Sequence, residues 1–264
     1  MTVSIFLYTR PITPVHRLDP RTKIGGMLLL FSLGLTFNHP FYEGAILAGV
    51  LILAWWSGSL NNVWRLRYIL FILMAFSIGL WPLFIEGPTE VFRWHGLRFS
   101  LEPVLYGAAM GMRIATFLVV GLIFLSTTRI EELTAALMNM GIPHPLAFAV
   151  STAFRLLPTF VGAGATIVQA QSARGLDVRA GSLWGRFRKF IPLLVPILIY
   201  AMRTVNLQAM ALEAKYFRNK SKRTSYLDLR WRGADYAVII LLGLLCGIAL
   251  YWRLTGHGAV LPRM

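Results

Sequence analysis

The sequence has little charge, few acidic residues and a single cysteine. Only 14% of its residues are charged and 56% are hydrophobic, whereas soluble domains carry about 25% charged residues. This composition excludes an ordinary soluble domain and predicts a protein whose apolar surface faces lipid. The lone cysteine, Cys246, lies inside an apolar run, so the chain can form no internal disulfide.

Several motifs that carry chemistry are also missing. The sequence contains no G-x-x-x-x-G-K-[ST] phosphate-binding loop, no H-E-x-x-H, no C-x-x-C and no G-x-G-x-x-G. The five histidines are far apart in the sequence, without the spacing of a metal site. We therefore expect no metal, no cofactor and no catalytic residues, and we expect any ATP hydrolysis to belong to other subunits.

The net charge is strongly positive, with 26 Lys and Arg against 11 Asp and Glu. Clustered basic residues can bind nucleic acid, but membrane proteins also concentrate them in cytoplasmic loops. The apolar composition favours the second explanation, so we expect a lipid bilayer and no nucleic acid as partner.

Five apolar runs predict membrane spans, and the first two are short against the ~20 residues that a span needs. The runs are Ile24–Phe37, Phe41–Trp56, Tyr68–Ile85, Leu101–Ser126 and Tyr236–Trp252. Basic residues precede the first and third runs, which predicts a cytoplasmic N-terminus and an outer C-terminal tail.

A long basic segment separates the fourth and fifth runs. It divides the chain into a membrane body (1–126), a cytoplasmic region (127–235) and a C-terminal span with its tail (236–264). Apolar residues recur at spacings of three and four from about Pro145 to Gly175, and a second long helix is predicted from about Leu183 to Phe217. Pro158 should kink the first of these helices, and Gly162 and Gly164 should let another helix cross it closely.

Two strings flank the membrane body. In H-R-L-D-P-R-T-K (16–23), Asp19 can cap a helix, Pro20 can take its first position, and basic residues such as Arg21 can anchor to lipid headgroups. In T-T-R-I-E-E-L (127–133), a threonine can cap a short helix and its glutamates favour the N-terminal dipole.

The first long helix is predicted to close on A-R-G-L-D (173–177). An arginine at this position presents a five-donor fork beyond the helix end. Alternatively, it complements the helix dipole before a glycine stop.

Taken in order, these strings resemble the T component, or CbiQ-like subunit, of energy-coupling factor transporters. The strings are L-D-P-R-T-K (18–23), T-T-x-x-E-x-L (127–133), G-I-P-x-x-L-A (141–147), R-x-L-P (155–158) and A-R-G-L-D (173–177). The resemblance covers nearly the whole chain. It implies an all-α integral protein of a bacterial inner membrane, with two long, crossed cytoplasmic coupling helices.

The resemblance also implies partners and sites. A pair of ABC-type ATPase subunits would dock below and a substrate-binding S component would sit beside, for vitamin or transition-metal uptake. Docking would use Ala173, Arg174 and Gly175 on the first coupling helix and, on the second, Ala214 and Lys215, where the family usually has Ala-Arg-Gly. The family strings also contain the predicted structural or coupling residues Asp19, Pro20, Arg21, Arg155 and Pro158. Gly162 and Gly164 of the small-residue cluster complete that set.

The residues leave two other functions open. A self-sufficient permease or channel would need polar groups along several spans, and only Arg113 stands out there, as a structural anchor or as part of a substrate path. A membrane enzyme would need convergent titratable residues at one membrane face, which the few acidic residues do not supply. The transported substrate is not readable from this chain.

Overall fold

The computed structural model describes residues 13–85, 90–94, 97–176, 183–217 and 231–256. A short 3-10 helix, Pro14–Arg17, precedes α1. The elements are α1 (Pro20–Thr36), α2 (Pro40–Trp56), α3 (Leu60–Arg65), α4 (Arg67–Phe84), β1 (Glu90–Trp94), β2 (Leu97–Ser100), α5 (Leu101–Thr127), α6 (Ile130–Asn139), α7 (His144–Ala173), α8 (Leu183–Ala214) and α9 (Gly233–Leu254).

The predicted helical class is confirmed, and the chain between α4 and α5 adds a feature that the sequence did not indicate. Strands β1 and β2 pair antiparallel there, with Phe92 opposite Phe99 and Trp94 opposite Leu97. Strand β2 contacts both helices.

The chain divides into two compact units, 1–141 with 229–264 and 142–228. In the first unit, the beginnings of α1 and α9 meet, because the Asp19 amide donates to Asp235 Oδ1 at 2.8 Å. At the other end of α1, the ring of Tyr42 in the first turn of α2 contacts that of Trp252 near the end of α9. Helices α1 and α9 are therefore parallel.

The other long helices of this unit alternate in direction. The end of α5 lies beside the beginning of α1, since Lys23 Nζ donates to the Thr127 carbonyl at 2.8 Å. The short helix α3, which follows α2, lies on the same side, because Asn62 Nδ2 donates to Ser126 Oγ at 2.8 Å. Helices α1, α2, α4, α5 and α9 therefore alternate in direction, as predicted for the five apolar runs.

Glycines of α5 allow this helix to pack closely against α4. A Cβ on Gly107 would lie 2.9 Å from the Ser77 carbonyl oxygen, and one on Gly111 would lie 2.9 Å from Met74 Cγ. The Ser77 hydroxyl also donates to the Gly107 carbonyl at 2.9 Å. The buried core continues from there between α2, α3 and α5 with Val50, Ala54, Val63, Val119, Val120 and Leu122.

The second unit contains α7 and α8, which contact each other near their middles and where the start of α7 meets the end of α8. The ring of Phe160 meets that of Tyr200 edge-on near the middle of both helices. The ring of Phe148, near the beginning of α7, meets that of Phe217, just beyond α8. The two helices are therefore antiparallel, and their observed extents confirm the two long helices that the sequence predicted.

The expected close crossing at Gly162 and Gly164 is not found. Among the described residues, a Cβ at either glycine would meet no atom within 4 Å. The two helices meet instead through bulky rings such as Phe160 and Tyr200. The small-residue cluster permits a close approach, but these larger neighbours hold the partner helix away from it.

Five of the described helices are long and apolar enough to cross a membrane: α4, α5, α7, the segment Lys189–Ala214 of α8, and α9. The predicted number is the same, but the set differs. Helices α1 and α2 have 17 residues each and fall short of ~20, whereas α7 and the segment Lys189–Ala214 of α8 have the length and composition of a span.

Candidate functional site

The end of α7 is a tight turn that exposes the predicted docking residues. Arg174 caps the helix, and Gly175 follows with φ +88°. The Gly175 amide donates to the Ser172 carbonyl at 3.0 Å, and the Leu176 amide to that of Gln171 at 3.0 Å. These two bonds define a Schellman motif, in which glycine takes the left-handed conformation without a steric cost.

The end of α8 has the same backbone turn with different side chains. The Tyr216 amide donates to the Glu213 carbonyl at 2.9 Å, and the Phe217 amide to that of Leu212 at 3.0 Å. Lys215 occupies the position of Arg174, and Tyr216, with φ +53°, occupies that of Gly175. The departure in the sequence therefore leaves the backbone geometry of the second helix end intact.

This substitution has a conformational cost. A non-glycine residue in the left-handed region typically costs about 1–3 kcal/mol. Phe217 secures the turn, because its ring packs on Phe148 at 4.3 Å and on His144 at 5.8 Å between centroids. The Tyr216 side chain is 80% exposed.

Both cations at the helix ends face solvent. Arg174 and Lys215 are exposed, as are Ala173 and Ala214. Within the described residues, neither Arg174 nor Lys215 forms an ion pair with a carboxylate. We define the first tip as residues 173–175 and the second tip as residues 214–216. Each tip can offer a cation to a partner at low conformational cost, since a fixed turn already orders the backbone.

The N-terminal string forms a second polar cluster, at the start of α1. Asp19 caps α1, its Oδ1 accepting from the Arg21 amide at 2.9 Å, and Pro20 takes the first helical position, as predicted. The Asp19 amide in turn donates to Asp235 Oδ1, while Asp235 Oδ2 accepts from the Arg232 amide. One buried carboxylate, that of Asp235, thus caps α9 and holds α1 against it.

Lys23 contradicts the headgroup-anchor expectation for the basic residues of this string. It is 8% exposed, and its ammonium donates to the carbonyls of His16 at 3.1 Å and Thr127 at 2.8 Å. The carboxylates of Glu132, Asp19 and Asp235 act on it electrostatically. Lys23 is therefore an internal tie and not a lipid contact.

We call residues 19–23, 127–132 and 235 the junction, because the segment between α5 and α9 leaves and returns there. The expected threonine cap is wrong: Thr127 ends α5, and Arg129 is the cap residue of α6. The glutamates do lie in the first turn of α6, as predicted, and the Arg129 amide donates to Glu132 Oε2 at 3.5 Å. The side chain of Arg21 is half-buried, and its Nε has no hydrogen-bond partner among the described residues.

Arg113 is a structural anchor, and its main partner was not predicted. Its guanidinium pairs with Glu43 Oε1 at 3.0 Å, where the side chains are 11% and 0% exposed. It also donates to the carbonyls of Gly34 and Phe37 and to Asn38 Oδ1. One arginine of α5 thus holds the turn between α1 and α2 together with the first turn of α2. The only signal for Glu43 was an acid inside an otherwise apolar run.

The remaining predicted residues belong neither to the junction nor to the contacts of Arg113. Arg155 and Pro158 are exposed on α7, and the helix continues through the proline. The two tips lie in the second unit, whereas the junction and Arg113 lie in the first. The basic run Arg218–Arg223 lies outside the described residues.

Comparison with known proteins covers most of the chain. The family model CbiQ, described as cobalt transport protein, matches residues 12–226. An energy-coupling factor transporter transmembrane protein EcfT of Heliobacterium modesticaldum is 34% identical, over 95% of this chain and 97% of its own length. Its counterpart in Thermanaerovibrio acidaminovorans is 31% identical, over 96% and 98% of the two chains.

The match extends from the junction string through α7 and α8 to the second tip. The identity to the Heliobacterium protein is spread over nearly the full length of both chains. The chain therefore belongs to the CbiQ family of cobalt transport and energy-coupling factor transporter transmembrane proteins, as a multi-pass helical membrane protein.

Proposed function

We propose that this chain is the transmembrane coupling subunit of an energy-coupling factor uptake transporter. It transmits ATP-driven motion from two ABC-type ATPase subunits to a membrane-embedded S component that binds a vitamin or a transition-metal ion. The observation that supports this proposal most directly is the repeated turn at the ends of α7 and α8, each with an exposed cation.

The tips are suited to docking. The guanidinium of Arg174 can pair with a carboxylate through two parallel hydrogen bonds, while the ammonium of Lys215 offers a point charge. A Schellman turn fixes the backbone at each tip, so little entropy is lost when a partner binds. Helices of 30 and 32 residues span about 45 Å at 1.5 Å per residue, which makes them long levers for a movement that begins at the tips.

The charge distribution supports a cytoplasmic position for the tips. The segment 127–235 contains 15 Lys and Arg against six acids. Its two ends lie at the junction, on the same side of the first unit as Asn62 and the start of α4. Arg65 and Arg67 flank that side, and basic residues mark the cytoplasmic face of membrane proteins.

The second unit also offers a surface for the S component. Large apolar side chains recur along one stripe of α8, where Leu194, Leu198, Met202 and Val205 are 51–64% exposed. A contiguous apolar surface of this kind needs lipid or an apolar partner. We assign the stripe to the membrane-embedded S component, whose movement would follow that of α8.

A self-sufficient permease or channel is the alternative. It would need polar groups that face a path through the spans. Arg113 and Glu43 are paired with each other and with the turn after α1, which favours a structural role over a substrate path. The coupling function therefore accounts better for these charges.

The direct experiment is affinity purification of the tagged chain from its native membrane, with identification of every co-purifying subunit. We expect two ATPase subunits and at least one small membrane protein, and ATP hydrolysis only when the ATPases are present. A chain that purifies alone and transports substrate in vesicles would refute the coupling function. ATP turnover by the isolated chain, free of other ATPases, would refute the absence of catalysis.

A further inference from the structure

The turn that contains Tyr216 requires a residue in the left-handed conformation, but it does not require a tyrosine. At the first tip, the same position of the same turn is Gly175, and glycine adopts this conformation without strain. The apolar contact that secures the second turn comes from Phe217, which packs on Phe148. Tyr216 therefore adds strain to the turn and no contact that would stabilise it.

The side chain of Tyr216 is directed to solvent. It is 80% exposed, and within the described part of the chain it forms no side-chain hydrogen bond and no ring contact. An aromatic ring this exposed leaves most of its apolar area in water. A strained residue is a reason to look for function at that position, and the neighbour of Tyr216 is Lys215, the exposed cation of the second tip.

We propose that Tyr216 is a contact residue of the second tip, whose ring enters an apolar slot on one ATPase subunit while Lys215 meets a carboxylate at its rim. This inference rests on the proposed coupling function. Lysine lacks the planar fork of arginine and cannot form the two parallel bonds that Arg174 can form. Tyrosine compensates with a large, rigid contact area and a hydroxyl, and it is enriched among residues that dominate binding energy.

The two tips would then have one backbone frame and two recognition chemistries. The first tip presents a guanidinium beside a glycine, which suits a polar, carboxylate-lined pocket. The second presents an ammonium beside an aromatic ring, which suits an apolar slot with an acidic rim. The tips would not be interchangeable, and Tyr216 would determine which ATPase surface the second tip accepts.

The test uses the whole transporter and three substitutions with opposed effects on strain and contact. Tyr216→Gly and Tyr216→Asn both relax the turn, since glycine and asparagine tolerate the left-handed region, and both remove the ring. Tyr216→Phe keeps the ring and the strain. Tyr251→Ala, which truncates a similarly exposed tyrosine on α9, is the matched control.

Retention of each ATPase subunit on the tagged chain is measured by quantitative mass spectrometry, together with the thermal midpoint of the isolated chain. We expect Tyr216→Gly and Tyr216→Asn to keep or raise the midpoint but to lower retention of one ATPase by about tenfold, as for loss of a dominant contact. Tyr216→Phe and Tyr251→Ala should retain that subunit within about twofold of the unsubstituted chain.

Two results would overturn the inference. If Tyr216→Gly retains both ATPases as well as the unsubstituted chain or better, the tyrosine is only tolerated at this position. If Tyr216→Phe loses the subunit as completely as Tyr216→Gly, the ring does not fill an apolar slot. Failure of the proposed function is distinct, because the unsubstituted chain would then retain no ATPase at all.

Discussion

Replacing Arg113 with methionine should be among the more damaging single substitutions in the membrane unit. The change removes a guanidinium that donates to Glu43, to the carbonyls of Gly34 and Phe37, and to Asn38. Glu43 is 0% exposed, and its buried carboxyl group would be left without its ion-pair partner. Breaking a buried pair by removing one partner typically costs about 3–5 kcal/mol.

A double-mutant cycle separates the ion pair from the other contacts of Arg113. Glu43→Leu removes the buried acid, so Arg113→Met should cost less in that background. We expect a coupling free energy of at least about 1.5 kcal/mol between the two positions, within the range for residues in direct contact. Recovery should be incomplete, because the carbonyls of Gly34 and Phe37 still lose their donor.

The assay is reversible unfolding in mixed micelles, followed by tryptophan fluorescence. Arg65→Met is the matched control, since Arg65 is exposed and surface substitutions usually change stability by less than about 0.5 kcal/mol. If the changes in unfolding free energy of the two single variants add up to that of the double variant, with a coupling below about 0.5 kcal/mol, the conclusion that Glu43 and Arg113 stabilise the fold as a pair is refuted.

Three further predictions concern the junction, the glycines and the membrane topology. Lys23→Met should destabilise the fold by about 1–3 kcal/mol, because buried carbonyls lose their donor, and a thermal midpoint equal to the unsubstituted one would contradict the internal tie. Gly107→Ala should destabilise the fold by about 1–3 kcal/mol because the added methyl overpacks α5 against α4. Gly164→Ala should instead stabilise its helix by about 0.5–1 kcal/mol. Equal shifts of the thermal midpoint would refute the conclusion that Gly107 is closely packed and Gly164 is not. Single cysteines introduced at Ser172 and Thr255 in a cysteine-free background should be labelled from opposite sides of the membrane, the first from the cytoplasm. Labelling of both cysteines from one side would contradict the proposed topology.

The sequence predicted those features that depend on neighbours along the chain. Asp19 and Pro20 form the cap of α1 because capping involves only residues within one helical turn. The extents of α7 and α8 followed from apolar periodicity and from glycines near their ends. The turn at the first tip was predicted for the same reason, since Gly175 can adopt the conformation that ends a helix.

Features that depend on distant residues were missed. The partner of Lys23 is the carbonyl of Thr127, 104 positions away, and no local pattern distinguishes a buried lysine from one at the headgroups. The partner of Arg113 is Glu43, 70 positions away, inside a run that hydropathy treats only as apolar. The predicted close crossing at Gly164 was wrong for a related reason. A small residue permits close packing, but it does not determine which helix packs against it.

The proposed coupling function depends on contacts between subunits, which one chain's sequence specifies only in part. The identity of the tips came from family strings, and the structure adds that both have the same backbone turn. Tyr216 was recognised as a departure, but its left-handed conformation was not, because tyrosine rarely adopts it.

Charge reversal at the two tips is the most direct measurement of the coupling account. Arg174→Glu and Lys215→Glu are compared for retention of the ATPase subunits and for ATP-driven substrate uptake in vesicles. Removing one partner of a buried interfacial charge pair costs about 2–5 kcal/mol, so Arg174→Glu should largely abolish retention or uptake, and Lys215→Glu, which removes only a point charge, should do less. Unchanged retention and uptake with Arg174→Glu would contradict the docking function of the first tip, and greater damage from Lys215→Glu would reverse the order of the two tips.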